Sequence, residues 1–206
     1  SGGTHWKNER VIECITDWVA RGAGFVGVAE PSACEYGGQF FQLSHLLGVD
    51  REIGRSLSRE KPAFRTGTDG HFIMADVEGE IDFGQDVGNV FVTDQETRVL
   101  ASRDGSPRVS THRFKAGRSV YLSGFQFSPQ NTRLLHRTLY WAAGDERDFG
   151  VWTCSNIHTE CAYYPGSGKL VVINNSQQAE ETSIRDAQGN RFEVRVEPLG
   201  IRVLDA

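Results

Sequence analysis

No stretch of the 206 residues approaches the roughly 18 consecutive apolar residues of a membrane-crossing helix, so no membrane partner is expected. No basic n-region followed by an apolar h-region opens the chain, which predicts no secretory signal. Cysteine is scarce: Cys14, Cys34, Cys154 and Cys161 include no C-x-x-C pair. A chain of this size does not need disulfides to hold a core, so the expected setting is reducing and cytoplasmic. Lys and Arg number 22 against 27 Asp and Glu, for a net charge of -5 and a pI of about 5.7. The basic residues form no stripe, which argues against a nucleic-acid partner. Internal repeats and low-complexity tracts are also lacking.

What remains is an ordinary globular mixture, 38% hydrophobic and 24% charged, with enough apolar material for a sizeable core. Residues 7–20 predict a helix, with Val11, Ile12, Ile15, Trp18 and Val19 at three- and four-residue spacings, Cys14 beside that face as a buried thiol, and Arg21-Gly22 as its end. Gly24 to Ala29 is apolar without alternation, which predicts a strand covered on both faces, as in a parallel sheet. Phe40 to Leu47 reads as a short helix, and residues 49–86 as a long, partly looped excursion. Strands are expected at Asn89–Val92, Arg98–Ala101, Val109–Phe114 and Arg118–Ser123, with Asp104-Gly105 as a turn. A strong helix is expected from Asn131 to Ala143. After Gly144-Asp145-Glu146 only short β-type runs remain, at Val151–Thr153, Cys161–Tyr164, Leu170–Ile173, Phe192–Val194 and Ile201–Val203. A boundary near residue 146 follows, dividing an α/β domain (1–146) from a small all-β sandwich (147–206). Because a helix leads into a wholly apolar strand, the first strands of the α/β sheet are expected to be missing.

Glu30 is the sharpest single candidate. An acid held by Pro31 just past a buried strand would face a cleft in an open α/β sheet. The alternative, which the sequence favours, is a structural acid that caps a helix or pairs with a basic neighbour. Cys34 lies past the turn where a nucleophile would stand, and no G-x-S-x-G elbow surrounds Ser32. Cys154, His158 and Cys161 invite a zinc reading, but no fourth ligand follows and strand alternation would separate them. Asn174-Asn175-Ser176 fits a glycosylation triplet common by chance, and Gly22-Ala23-Gly24 precedes its strand, unlike a phosphate-cradling loop. Phe40, Phe41, Trp141, Tyr163 and Tyr164 read as core, with a sugar-stacking role open for the two tyrosines. No triad or acid pair emerges, and the expectation is no catalytic residue, no metal and no cofactor.

Read whole, SGGTHWKNERVIECITDWVARGAGFVGVAEPSA, GGQFFQLSHLLGVDRE, HFIMADVEGEIDFGQDVGNVFV and HRFKAGRSVYLSGFQFSPQNTRLLHRTLYWAAG resemble the 1,3-β-galactosyl-N-acetylhexosamine phosphorylases, from Ser1 to about residue 175. The resemblance implies a glutamine-amidotransferase-like (flavodoxin-like, doubly wound) middle domain followed by the β domain. The N-terminal (β/α)8 barrel, which carries the catalytic acid and the sugar contacts, would be absent. It implies an inverting phosphorolysis with inorganic phosphate as co-substrate, giving α-D-galactose 1-phosphate and an N-acetylhexosamine. It also implies that this part is non-catalytic, covers the barrel and supports a homo-oligomer, a dimer, with the disaccharide met through the barrel. The alternatives are a stand-alone carbohydrate-binding protein and an amidotransferase-like enzyme using Cys34.

Overall fold

The computed structural model describes residues 9–32, 41–52, 61–68, 70–149, 152–186 and 188–205. The chain forms two compact units, Ser1–Gly144 and Asp145–Ala206.

The larger unit runs α1 (Glu9–Ala20), β1 (Gly24–Val28), α2 (Ser44–Leu47), β2 (Val49–Arg51), a 3-10 turn (Phe72–Met74), β3 (Val90–Val92), β4 (Arg98–Arg103), β5 (Ser106–Phe114), β6 (Gly117–Leu122) and α3 (Pro129–Ala143). Its main sheet has the order β1-β6-β5-β4, and β2 and β3 form a separate two-stranded ladder. The β1–β6 ladder is parallel, from Gly24↔Arg118 to Val28↔Leu122. The β5–β6 and β4–β5 ladders are antiparallel. Asp104 and Gly105, at φ 52 and 72, make the two-residue β4–β5 turn, a conformation that Asp-Gly adopts readily.

Alternation along β6 divides the interior. Val120 and Leu122 face a core shared with Val109, Leu100, Leu134, Trp141 and Ala142. Tyr121 faces the opposite core, with Phe41, Leu47, Val49, Val92 and Val99. The helix α3 covers the first face because Leu134, Thr138, Trp141 and Ala142 fall on one side of it. Its start is fixed by Ser128, whose side chain accepts the Asn131 N–H, with Pro129 in the first turn; Gly144, at φ 84, closes it. Asp76 ties α3 to the 3-10 turn by accepting from Arg137 and from Arg133 at 3.2 Å, while the Arg137 guanidinium lies 4.9 Å from the Phe72 ring centre. On the other face α1 packs through Val19, Ile12 and Ile15 against Leu43 and Leu46.

The smaller unit consists of β7 (Thr153–Cys154), β8 (Thr159–Tyr164), β9 (Lys169–Asn174), β10 (Glu180–Arg185), β11 (Arg191–Val196) and β12 (Ile201–Asp205). These strands form two antiparallel three-stranded sheets, β11-β10-β7 and β12-β9-β8. Cys154, Leu170, Val172, Ile184, Val194 and Val196 make one core between them.

This architecture corrects the sequence expectation of a doubly wound, flavodoxin-like domain of glutamine-amidotransferase type. The chain is mostly β, with three α-helices among the described residues, one of only four residues. A doubly wound sheet needs a crossover helix between successive parallel strands. Here β4, β5 and β6 follow one another through tight turns, and one of the three ladders in their sheet is parallel. The unalternating strand misled because β1 is indeed parallel to its neighbour, but at the sheet's edge.

Two predictions follow from this packing. A Cβ on Gly117 would stand 2.1 Å from the Val19 carbonyl oxygen and 2.6 Å from that of Ala23. Gly117→Ala should lower the unfolding free energy in urea by about 2–3 kcal/mol. Burial by itself would push the Asp76 carboxyl up, but the hydrogen bond from Arg137 and the charges of Arg133 and Arg137 outweigh it and hold it below its ordinary value. A depressed carboxylate stabilises the fold above its unfolded-state value and loses that contribution as the pH falls through its folded-state value. Asp76→Asn should therefore destabilise the protein at pH 7 and less so below about pH 4, measured as Tm against pH.

Candidate functional site

The carboxyl end of β1 is the polar centre of the larger unit. Ala29 leaves the strand at φ 60, a left-handed conformation uncommon for a residue with a Cβ. It is held there from both sides: its N–H donates to the Leu122 carbonyl at 2.8 Å, and its own carbonyl accepts the Tyr121 hydroxyl at 3.2 Å. Ser32, fully buried at φ 59, accepts the Leu43 N–H at its hydroxyl (3.0 Å) and the Gln42 N–H at its carbonyl (2.9 Å). The Glu30-Pro31-Ser32 turn is thereby stitched to the segment leading into α2.

Glu30 forms an ion pair with Arg51, at the end of β2. Arg51 also donates from Nε to the Gly88 carbonyl at 3.3 Å, and its backbone N–H donates to the buried Asp50 carboxylate at 2.8 Å. Asp50 accepts the Phe41 N–H at 2.6 Å as well. Beside them Arg108, on β5, pairs with Asp86 at 2.8 Å and donates to the Val87 carbonyl at 2.7 Å. Burial pushes the Tyr121 hydroxyl well above its ordinary value, against the opposing charges of Arg51 and Arg108. The hydroxyl stays a neutral donor to the turn.

A second polar group lies farther along the same sheet face. His112 donates from Nδ1 to the Leu46 carbonyl at 2.8 Å, and its Nε2 lies 3.3 Å from the Asp94 carboxylate. The N–H of Glu96 holds the Asp94 carboxyl below its ordinary value, with burial opposing and His112 assisting. Burial, then the charge of His112, lowers His45.

The structure gathers Glu30 with Asp50, Arg51, Asp86, Arg108 and Tyr121, none of which sequence reasoning singled out except Glu30. Alternation in β5 and β6 was the available signal: Arg108, Ser110 and His112 share one face of β5, opposite Ser123, Tyr121 and Ser119 on the β6 side, while Val109 faces the apolar core under α3. Cys34 and Phe40 lie outside the described residues. Cys14 is exposed rather than buried, because α1 turns Val19, Ile12 and Ile15 inward and Cys14 away from them. Cys154 and Cys161 line the smaller unit's core, and His158 sits in the turn between, its N–H on the Asn156 side chain. No group of three metal-ligating side chains forms among the described residues. Asn174 is buried and bonds to the carbonyls of Gln178, Val196 and Glu197. Tyr163 stacks on Trp152 at 4.5 Å, and Tyr164 is exposed. No described helix is long and apolar enough to cross a membrane.

The chemistry of the Glu30 cluster is that of charge held in place: each described carboxylate has a guanidinium or amide donor. Glu30→Gln, which leaves Arg51 half-buried without its carboxylate, should cost about 1–2 kcal/mol of stability in urea unfolding. Arg51→Gln combined with it should recover part of that loss in a double-mutant cycle.

Comparison with known proteins gives this site its context. The profile of the lacto-N-biose phosphorylase central domain matches residues 1–147, and that of the C-terminal domain residues 152–204. A 1,3-beta-galactosyl-N-acetylhexosamine phosphorylase of Lachnoclostridium phytofermentans is 38% identical over 95% of this chain and 27% of its own length. One from Bifidobacterium longum subsp. longum is 33% identical over 98% of this chain and 31% of its own length. A D-galactosyl-beta-1->4-L-rhamnose phosphorylase of Lachnoclostridium phytofermentans is 33% identical over 89% of this chain and 25% of its own. The chain thus spans about a quarter to a third of these relatives. Among solved structures, the β-galactosidase of Rahnella sp. R3 matches with a TM-score of 0.58 at 17% identity, over 95% of this chain and 30% of that one. The Halorubrum lacusprofundi β-galactosidase matches at 0.52 and 16%, over 99% and 30%. At these identities the likeness is one of fold. The chain belongs to the lacto-N-biose phosphorylase family, carrying sequence of its central and C-terminal domains.

Proposed function

We propose that this chain is the non-catalytic part of an inverting phosphorylase acting on β-galactosyl-(1→3)-N-acetylhexosamines. One observation carries the reading: relatives bearing that name cover nearly all of this chain while the chain covers 27–31% of them. In the proposed reaction an oxygen of inorganic phosphate bonds to the anomeric carbon of galactose as the glycosidic C–O bond breaks. A carboxylic acid gives its proton to the departing oxygen, and the products are α-D-galactose 1-phosphate and the free N-acetylhexosamine. That acid needs to hold a proton near neutral pH. The Asp76 carboxyl is in the opposite situation: against burial, the hydrogen bond from Arg137 and the charges of Arg133 and Arg137 hold it below its ordinary value, in the ionised state. We therefore assign the acid and the sugar contacts to a (β/α)8 barrel elsewhere in the parent protein.

The role assigned to this chain is to cover that barrel and support a homodimer in the cytoplasm, with its division into two domains at residue 146. Phosphate is the co-substrate and no other cofactor is invoked. The experiment is a coupled assay for galactose 1-phosphate release from galactosyl-β1,3-N-acetylglucosamine. The 206-residue chain alone should show no phosphate-dependent turnover, and the full-length parent should. Turnover by this chain alone, or an inactive parent, would overturn the proposal.

A further inference from the structure

At the end of the main sheet remote from Glu30, strand register brings together like charges. Arg113 on β5 stands directly opposite Arg118 on β6, and Arg98 on β4 stands opposite Thr111, two residues from Arg113. Residues directly opposite share a sheet face, as do residues two apart in one strand, so Arg98, Thr111, Arg113 and Arg118 all project from the face that α3 covers. Like charges directly opposite in an antiparallel pair, with Cβ atoms about 5 Å apart, disfavour the pairing. Arg118 has a reason to be there: it donates to the Trp141 carbonyl at 3.1 Å, near the end of α3, and lies 5.2 Å from the Trp141 ring centre. No such contact explains Arg113, which is exposed and has no carboxylate partner among the described residues.

Beside this pair lies an open cavity of about 360 Å³, lined by His71, Glu96, Arg98, Thr111, His112, Arg113 and Trp141. Its walls are firm: Thr111, His112 and Trp141 are at most 8% exposed. His71 packs on Trp141 at 5.6 Å and accepts the Ile73 N–H at Nδ1, which places its ring proton on Nε2 as a donor. The lining thus presents the guanidiniums of Arg113 and of Arg98, which also donates to the Thr68 carbonyl at 3.3 Å, with the Thr111 hydroxyl and the His71 Nε2–H, against the carboxylate of Glu96. His112 contributes wall only, since its Nδ1 is held by the Leu46 carbonyl and its Nε2 by Asp94. Guanidiniums match tetrahedral oxyanions by paired, charge-assisted hydrogen bonds. A site of this composition also relieves the Arg113–Arg118 repulsion when an anion enters.

We propose that this cavity binds a phosphate group, either as the free anion or as a hexose 1-phosphate. The free-anion arm stands independently of the function proposed above; the sugar arm rests on it. The test is a titration of the 206-residue chain, followed by amide NMR, with inorganic phosphate, with galactose 1-phosphate and with potassium chloride at matched ionic strength. Saturable shifts around residues 96–98, 111–113 and 118 with either phosphate, and not with chloride, are expected. Arg113→Gln and Arg98→Gln should each weaken binding roughly tenfold, and Glu96→Gln should tighten it. Equal affinities assign the free anion; tighter galactose 1-phosphate assigns the sugar phosphate. Shifts that chloride reproduces, or an Arg113→Gln affinity equal to that of the unsubstituted chain, would overturn the proposal. A parent protein without phosphorolysis would leave the inorganic phosphate result standing.

Discussion

The larger unit depends on β6 being buried on both faces. Val120 and Leu122 belong to the core under α3, while Tyr121, on the opposite side, closes the core with Phe41 and Val49. Each fully buried aliphatic side chain contributes about 1.5–3 kcal/mol relative to exposure, so this strand joins two cores that would otherwise be separate. The same burial requires close approach at its edges. Gly117 sits against the Val19 carbonyl and Gly24 against that of Ala142, so the ends of α1 and α3 are set directly on the sheet.

Burial on both faces also sets the electrostatics. The face of β5 and β6 turned away from α3 carries Arg108, Ser110, His112, Ser119, Tyr121 and Ser123. These groups lie in the interior and need internal partners. The neighbouring loops supply several: the Ala29 carbonyl for Tyr121, Asp86 and the Val87 carbonyl for Arg108, the Leu46 carbonyl for His112. The Glu30–Arg51 pair completes the arrangement at the carboxyl end of β1. Polar groups fixed in this way organise a scaffold, and the turn that most resembles an active-site feature is among the most firmly tied parts of the unit.

The helices were legible where their signals were local. The spacing in α1 and the helix expected from Asn131 to Ala143 fall within a few residues of the observed limits. The helix α2 is shorter than its apolar run suggests, because Phe41–Leu43 turn to reach Ser32 before the helix begins. Cys14 was misplaced because periodicity gives a helix an apolar face without stating how wide a stripe its neighbours cover. The sheet order was missed for a related reason: an apolar strand without alternation reports apolar contact on both sides, and β1, half-buried between the two cores, shares that with a central parallel strand.

The sequence alone determined what depends on residues close along the chain: α1 and α3, the Asp104-Gly105 turn, and the change to short strands after Gly144. Backbone propensity, capping and two- or three-and-a-half-residue periodicity act over a few residues, and each leaves a local mark. Only the tertiary structure decided that Glu30 meets Arg51, that β6 lies between β1 and β5, and that Arg113 faces Arg118. Those partners are fixed by strand register and by which faces are buried together. Both are settled by contacts between distant segments, so no single stretch of sequence records them.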